Sequence, residues 1–310
     1  MVMVMRVFVA GGTGVVGRRL VPGLVERGHH VTATTTSPAK LDLLTQLRAD
    51  GVVMDGLDAV AVGEAVAKAR PDVIVHQMTA IAEVHAGKPN MKHFDRWFEP
   101  TIRLRTEGTD HLLAAAEATG VPHVVAQGYA SWNGLRSGGW VKTEDDPLDP
   151  LQGTAAEVGM RAIRHLEEAV LAYGGAVLRY GGLYGPGTSL TRDGEHLDLV
   201  RKRRFPIVGD GGGVFSFVTV ADAARATLLA LEKDVRGVLN VVDDDPAPVR
   251  EWLPAYAESL GAKPPRRLPV WLVRPLAGSF AVRWLTEMRG ASNERAKREL
   301  GWQPEPASWR

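Results

Sequence analysis

Short runs of β-branched and other apolar residues alternate along the chain with longer stretches in which apolar positions recur every three or four residues. The runs Arg6–Ala10, Val31–Thr34, Val52–Met54, Val73–His76, His123–Gln127, Ala176–Arg179 and Val238–Val242 predict strands. Between them Arg18–Arg27, Leu41–Arg48, Ala59–Ala69, one long stretch Phe94–Thr119, Ala155–Tyr173 and Ala221–Glu232 predict helices. Strands that alternate with helices pair in parallel and are covered on both faces, so the expected fold class is α/β, a doubly wound parallel sheet. Ligands of such sheets sit beyond the carboxyl ends of the strands, where the strand order reverses. The residues that follow each strand are therefore the candidate site.

The first of these junctions carries the clearest chemistry. Strand residues Val7 to Ala10 run into Gly11-Gly12-Thr13-Gly14-Val15-Val16-Gly17, and a helix starts at once with Arg18-Arg19-Leu20. Glycines at 12 and 14 let the backbone turn sharply and approach a phosphate, while Gly17 lets the helix pack against the strand. The amides of the helix start then face an anion. Because this G-x-G-x-x-G lies between a predicted strand and helix, and a second strand follows at Val31, Gly11 to Gly17 are read as a dinucleotide pyrophosphate site.

The junction after the second strand bears on which dinucleotide. A site for NAD usually places a carboxylate about 20 residues after the glycines, on the ribose hydroxyls. Here the segment is Thr34-Thr35-Thr36-Ser37-Pro38-Ala39-Lys40, with no acid before Asp42. Hydroxyls at Thr34, Thr35 and Ser37 with the cation of Lys40, and Arg18 from the helix start, suit a 2′-phosphate, so NADP is favoured and NAD is the alternative. Asp55, after the third strand, is either an adenine contact or the first residue of an Asp-Gly turn.

Composition narrows the class of ligand. In 310 residues, 37 Lys and Arg stand against 36 Asp and Glu, a net charge of +1 that calls for neither nucleic acid nor an anionic membrane surface. A small-molecule substrate is expected. The chain has no cysteine, which removes disulfides and thiolate chemistry and is compatible with a reducing, cytoplasmic location. Its nine histidines show no metal-ligand spacing, so no metal is expected. Arg274, Pro275 and Arg283 interrupt the apolar stretch Val270 to Leu285, which cannot span a bilayer and is read as a core or partner-facing helix.

Six segments in order give a resemblance that covers nearly the whole chain. They are Gly11 to Gly17; Asp72-Val73-Ile74-Val75-His76-Gln77-Met78; Thr106-Glu107-Gly108-Thr109; Leu178-Arg179-Tyr180-Gly181-Gly182-Leu183-Tyr184-Gly185-Pro186-Gly187; Phe217 to Ala226; and Glu299-Leu300-Gly301-Trp302-Gln303-Pro304. The chain resembles an extended short-chain dehydrogenase/reductase of the NAD-dependent epimerase/dehydratase type. The resemblance implies an NAD(P)-binding Rossmann domain over 1–185 and 206–240, and a smaller substrate lobe over 186–205 and 241–310. It places Gln77, Met78 and Thr79 beside the ribose and nicotinamide, and Tyr184 beside nicotinamide and substrate. It also implies a homodimer formed through the long helices.

The family's acid/base set does not follow. Relatives end the fifth strand in a serine and carry Tyr-x-x-x-Lys on the next helix, whereas this strand ends Val124-Val125-Ala126-Gln127-Gly128-Tyr129-Ala130-Ser131, with Gly128 in the serine slot. On the helix, one alignment puts Gly159 and Ile163 in the Tyr and Lys slots, and the other puts Met160 and Arg164 there. The chain is thus read as an atypical member. An oxidoreductase acting on a carbonyl or alcohol needs a donor for the developing alkoxide, and Tyr129 is the leading replacement, with Arg164 as its cation and Ser131 as a second hydroxyl. Gln127 joins the cofactor contacts, and Trp132, Tyr180, Tyr184 and Arg204 join Tyr129 around the substrate. The alternative is a dinucleotide-binding protein without net redox chemistry.

Overall fold

The computed structural model describes residues 3–81, 91–130, 138–190 and 195–306. Its centre is a seven-stranded parallel sheet built from β1 (Arg6–Ala10), β2 (His30–Thr35), β3 (Asp50–Val53), β4 (Val73–His76), β5 (Val124–Tyr129), β6 (Ala176–Tyr180) and β7 (Gly237–Val241), in the spatial order β7-β6-β5-β4-β1-β2-β3. Phe8 of β1 pairs with Thr32 of β2 on one side and with Ile74 of β4 on the other. The chain winds outward from β1 to β3, then crosses back and winds outward again from β4. The connections leaving β1 and β4 therefore part, and the crevice of a doubly wound sheet opens between them.

Eleven helices lie among the described residues: α1 (Gly17–Glu26), α2 (Leu41–Gln46), α3 (Ala59–Ala69), α4 (Phe94–Arg105), α5 (Glu107–Thr119), α6 (Glu157–Ala172), α7 (Glu195–Arg201), α8 (Val220–Glu232), α9 (Val249–Ser259), α10 (Val270–Glu287) and α11 (Glu294–Leu300). Local chemistry sets several of their ends. The Asp58 carboxylate caps α3 by accepting from the amides of Val60 and Ala61, and Gly120 closes α5 in the left-handed conformation.

The sheet is buried on both faces because its strands alternate between two apolar layers. Val7, Val9 and Leu178 pack with Leu20, Leu24 and Leu231, whereas Phe8 and Ile74 pack with Val62, Val66, Leu112 and Ala116. A further cluster gathers Phe215, Phe217, Trp252, Val208 and Leu285 from the later part of the chain.

Two features depart from the sequence expectation. The stretch Phe94–Thr119 is two helices, broken at Thr106 (φ −101°, ψ −86°), whose hydroxyl donates back to the carbonyl of Ile102. The halves serve different surfaces: α4 packs on α6, and α5 packs on α3. Helix α10 is interrupted at Gly278, where φ is +86°.

Candidate active site

The glycine turn lies in the crevice and its spacing is enforced by backbone contact. Gly11 has φ +95°, and a Cβ on it would lie 2.9 Å from the carbonyl of Gln77. At Gly17 a Cβ would meet the carbonyl oxygens of Gly11 and Gly12 at 2.5 and 2.6 Å, so α1 can close on the turn only without a side chain. The Gly12 amide donates to the carbonyl of Thr34 at 2.9 Å, and the Gly11 amide to the Thr34 hydroxyl at 3.0 Å. Thr13 donates to the hydroxyl oxygen of Thr35 at 3.2 Å, which also accepts the Ser37 amide. Thr34 and Thr35 are thus buried braces of the turn. Val16 is buried beneath it, Val15 packs beside the same core, and α1 begins without a side-chain cap, the amides of Arg18 and Arg19 donating instead to the carbonyls of Gly14 and Val16 at 2.9 Å.

The residues expected near the adenosine half are spread around this turn. Ser37 leads into the single helical turn Pro38–Lys40, where Lys40 is exposed. The Asp55 carboxylate accepts the amide of Leu57, as in an Asx turn. Arg18 faces elsewhere: its Nη2 lies 3.4 Å from where a Cβ on Gly187 would be, so the guanidinium meets the loop after Tyr184.

At the end of β4, three successive residues have different surroundings. His76 is buried, and its Nε2 is 3.1 Å from the Thr109 hydroxyl. That hydroxyl gives its own hydrogen to the Arg105 carbonyl at 2.9 Å, so Nε2 carries the imidazole proton, while Nδ1 accepts from the Met78 amide. Burial, aided by the charge of Arg105, pushes the His76 pKa down to about 3. Gln77 follows with 6% exposure; its Nε2 donates to the Tyr180 hydroxyl at 3.0 Å and its Oε1 has no partner. Met78, expected beside the ribose, sends its side chain against Gly56 and Gly108 in the core, because neither glycine has a Cβ to exclude it. Thr79 is half-buried.

Tyr180, expected on the cleft wall, does not line it. The residue is 1% exposed within the core, its hydroxyl lies 2.5 Å from that of Thr227, and burial pushes its pKa up to about 12.

The end of β5 and the start of α6 are closely packed. A Cβ on Gly128 would lie 2.8 Å from Val177 Cγ1 and 3.0 Å from Arg179 Cγ. That space belongs to a buried bidentate pair, in which Arg179 Nε and Nη2 donate to Glu167 at 2.8 and 2.7 Å. Over Gly159 the space is taken by the rings of Phe98 and Phe94, 3.3 and 3.4 Å from a Cβ there. Met160 and Ile163 are buried in the same apolar cluster, with Phe94, Phe98 and Phe280; Tyr129 packs at its margin. Phe94 stacks on Phe98 at 4.8 Å and tilts against Phe280 at 5.0 Å. Arg164, expected beside Tyr129, instead donates from Nη2 to the Leu148 carbonyl at 2.5 Å, pinning the loop before α6.

A buried cation that the sequence reading missed, Arg105, lies close enough to Tyr129 for their charges to interact. Arg105 is 3% exposed, donates from Nη1 to the Gln127 carbonyl at 3.3 Å, and leaves Nε unpartnered. Burial pulls its pKa down to about 10, against the opposing pull of Glu167 and Tyr129. One sequence signal marks it: Arg105 falls in phase with Phe94, Phe98 and Thr101, on the buried face of α4. Ser131 and Trp132 lie outside the described residues.

Tyr184 is buried with its ring edge-on to Phe217 at 6.4 Å, and Arg204 is exposed. Among the described residues no cluster of His, Asp and Glu has the make-up of a metal site, and no helix is long and apolar enough to cross a membrane.

Known proteins resemble this chain. The chain is 46% identical over 311 residues to a 3-diazoavenalumate denitrifying reductase of Streptomyces sp., covering 99% of this chain and 98% of that protein. It is 28% identical over 276 residues to a 2-alkyl-3-oxoalkanoate reductase of Stenotrophomonas maltophilia, covering 83% and 76%. The structure of Thermus thermophilus UDP-glucose 4-epimerase in complex with NAD superposes with a TM-score of 0.71 at 24% identity, covering 98% and 95%, and so shares the fold. The sequence profile of the NAD dependent epimerase/dehydratase family matches residues 7–241. With its glycine turn in the crevice of a parallel seven-stranded sheet, the chain belongs to the NAD dependent epimerase/dehydratase family.

Proposed function

We propose that the protein is a nicotinamide-dependent reductase that delivers hydride to a substrate carrying a diazo group, which it releases as N2. The observation that carries this reading is the full-length relationship, at 46% identity, to a protein named for a diazo substrate and for denitrification. The cofactor fits residues present here: a turn in which a Cβ at Gly11, Gly12 or Gly17 would collide with the surrounding chain, a helix start without a side-chain cap, and the orphaned acceptor of Gln77 at the same edge. Ser37 and Lys40, with no acid before Asp42, favour NADPH over NADH. Bound there, the reduced nicotinamide supplies the hydride.

The chemistry accounts for the altered catalytic slots. A carbonyl that takes up hydride becomes an alkoxide and needs a proton donor. A diazonium ion, R–N2⁺, takes up hydride to give R–H and N2; the bond to nitrogen breaks with its electron pair leaving in N2, and no oxyanion forms. The Tyr and Lys of relatives are then dispensable. Water is a competitor, since it replaces N2 by hydroxyl. Phe94, Phe98, Met160 and Phe280 form a buried apolar cluster with Tyr129 at its margin, and a site built against it would disfavour that side reaction.

The test uses cofactor deuterated at the transferred position and a carboxylate-bearing aryl diazonium salt. Cofactor oxidation, followed at about 340 nm, is expected to match N2 released, with deuterium on the carbon that held nitrogen. Nitrogen release without cofactor oxidation would overturn the reading. A second reading, reduction of a carbonyl with Tyr129 as donor, is favoured by the charge of Arg105 acting on Tyr129. It predicts turnover on a carbonyl panel that Tyr129→Phe abolishes.

A further inference from the structure

The end of β4 carries a chain of hydrogen bonds whose direction can be read along its whole length. Thr227 on α8 is fully buried, and its Oγ1 lies 2.7 Å from the carbonyl of Ala223, a distance at which the hydroxyl must donate. Having spent its hydrogen, that oxygen can only accept from Tyr180, whose hydroxyl is its neighbour. Tyr180 in turn has no hydrogen left for Gln77, so its oxygen accepts from the Gln77 amide nitrogen at 3.0 Å. The phenol stays neutral at any working pH, because burial pushes its pKa up to about 12. The Gln77 amide therefore has one orientation, nitrogen toward Tyr180 and carbonyl oxygen turned away from it.

That oxygen is buried and lacks any partner, in a residue whose backbone abuts Gly11 of the glycine turn. Leaving a buried acceptor unsatisfied costs about 1–3 kcal/mol. A ligand group that donates to it would remove that cost. The position, at the parting of β1 and β4, is the crevice itself.

We propose that Thr227 and Tyr180 are positioning residues that hold the Gln77 carbonyl oxygen as an acceptor for a hydroxyl or amide N–H of the nicotinamide riboside half of the dinucleotide. The inference rests on the dinucleotide reading above. It is independent of which substrate receives the hydride. Thr227 reaches the cofactor only through two other side chains, so it has no reason to affect binding unless the chain of bonds does so. In Thr227→Val the Tyr180 hydroxyl loses its acceptor and turns to the Gln77 oxygen, and the free oxygen is lost to the cofactor.

The experiment is isothermal titration of wild type, Gln77→Leu, Tyr180→Phe, Thr227→Val, Thr227→Ser and the Gln77→Leu/Thr227→Val double variant. The probes are NADH and NADPH, alongside the adenosine-side fragments AMP and 2′,5′-ADP. The three single variants that break the chain are expected to bind dinucleotide about 3- to 10-fold more weakly while fragment affinity holds. Thr227→Ser retains the hydroxyl and is expected to bind as wild type. The double variant is expected to bind no more weakly than Gln77→Leu alone. Unchanged dinucleotide affinity in Gln77→Leu or Thr227→Val, equal loss of fragment and dinucleotide, or additive losses in the double variant would each overturn the inference. If wild type binds neither dinucleotide, the cofactor reading itself falls, and this inference with it.

Discussion

Replacing Gly17 by alanine tests the physical basis of the site with a single methyl group. The new Cβ would lie 2.5 and 2.6 Å from the carbonyl oxygens of Gly11 and Gly12, roughly 1 Å inside ordinary contact, and both obstacles are backbone. No rotamer relieves such a clash, so α1 and the turn must move apart. Overpacking of this kind costs about 1–3 kcal/mol, and the melting temperature is expected to fall by several degrees. The displacement also shifts amides that would face the pyrophosphate. Losing one charge-assisted hydrogen bond, worth about 1.5–3 kcal/mol, weakens binding roughly 10- to 150-fold. Two controls separate the effects. Gly14→Ala brings its Cβ no closer than 3.2 Å to the Gly11 oxygen, and should weaken the protein far less. Gly63→Ala, inside α3 with nothing within 4 Å, should raise stability by about 0.5–1 kcal/mol and leave binding alone. Thermal melts paired with dinucleotide titrations read both quantities. Wild-type affinity in Gly17→Ala would refute the placement of the pyrophosphate at this turn.

Two further outcomes follow from the same geometry. Gly128→Ser, which adds a hydroxyl at the end of β5, should lower stability by about 1–3 kcal/mol, because its Cβ meets Val177 at 2.8 Å and Arg179 at 3.0 Å; a gain of carbonyl reduction in this variant would contradict that account. His76 is held neutral when folded, with its pKa at about 3 against about 6.5 unfolded, so the unfolded chain binds more protons between those values. Its contribution is complete above pH 6.5 and lost as pH falls toward 3, which amounts to about 2 kcal/mol at pH 5. Melts at pH 7.5 and 5.0 should show a smaller acid-induced drop in His76→Gln than in wild type, and an equal drop would contradict it.

The seven strands were legible in the sequence because each is a short apolar run flanked by turns, and β1 and β4 match their expected bounds. Their ends elsewhere shifted by one or two residues, where pairing with a neighbour extends or trims a strand regardless of side-chain type. The break at Thr106 was not legible: Thr106, Glu107 and Gly108 continue the helical spacing, and only the different partners of α4 and α5 separate them. At the site, the glycine spacing announced the turn. The hydroxyls of Thr34 and Thr35 looked the same on paper whether they met a ligand or braced the backbone.

What the order of residues determined by itself was local: which runs are extended and where a backbone without side chains is required. Those follow from chain geometry and from side-chain chemistry at fixed spacing. Only the folded chain decided which charges and hydroxyls meet. Arg105 reaches the end of β5 from α4, and Thr227 reaches Gln77 through Tyr180 across 150 residues of sequence, because burial leaves each polar group no water and forces it onto whatever partner packing brings within reach.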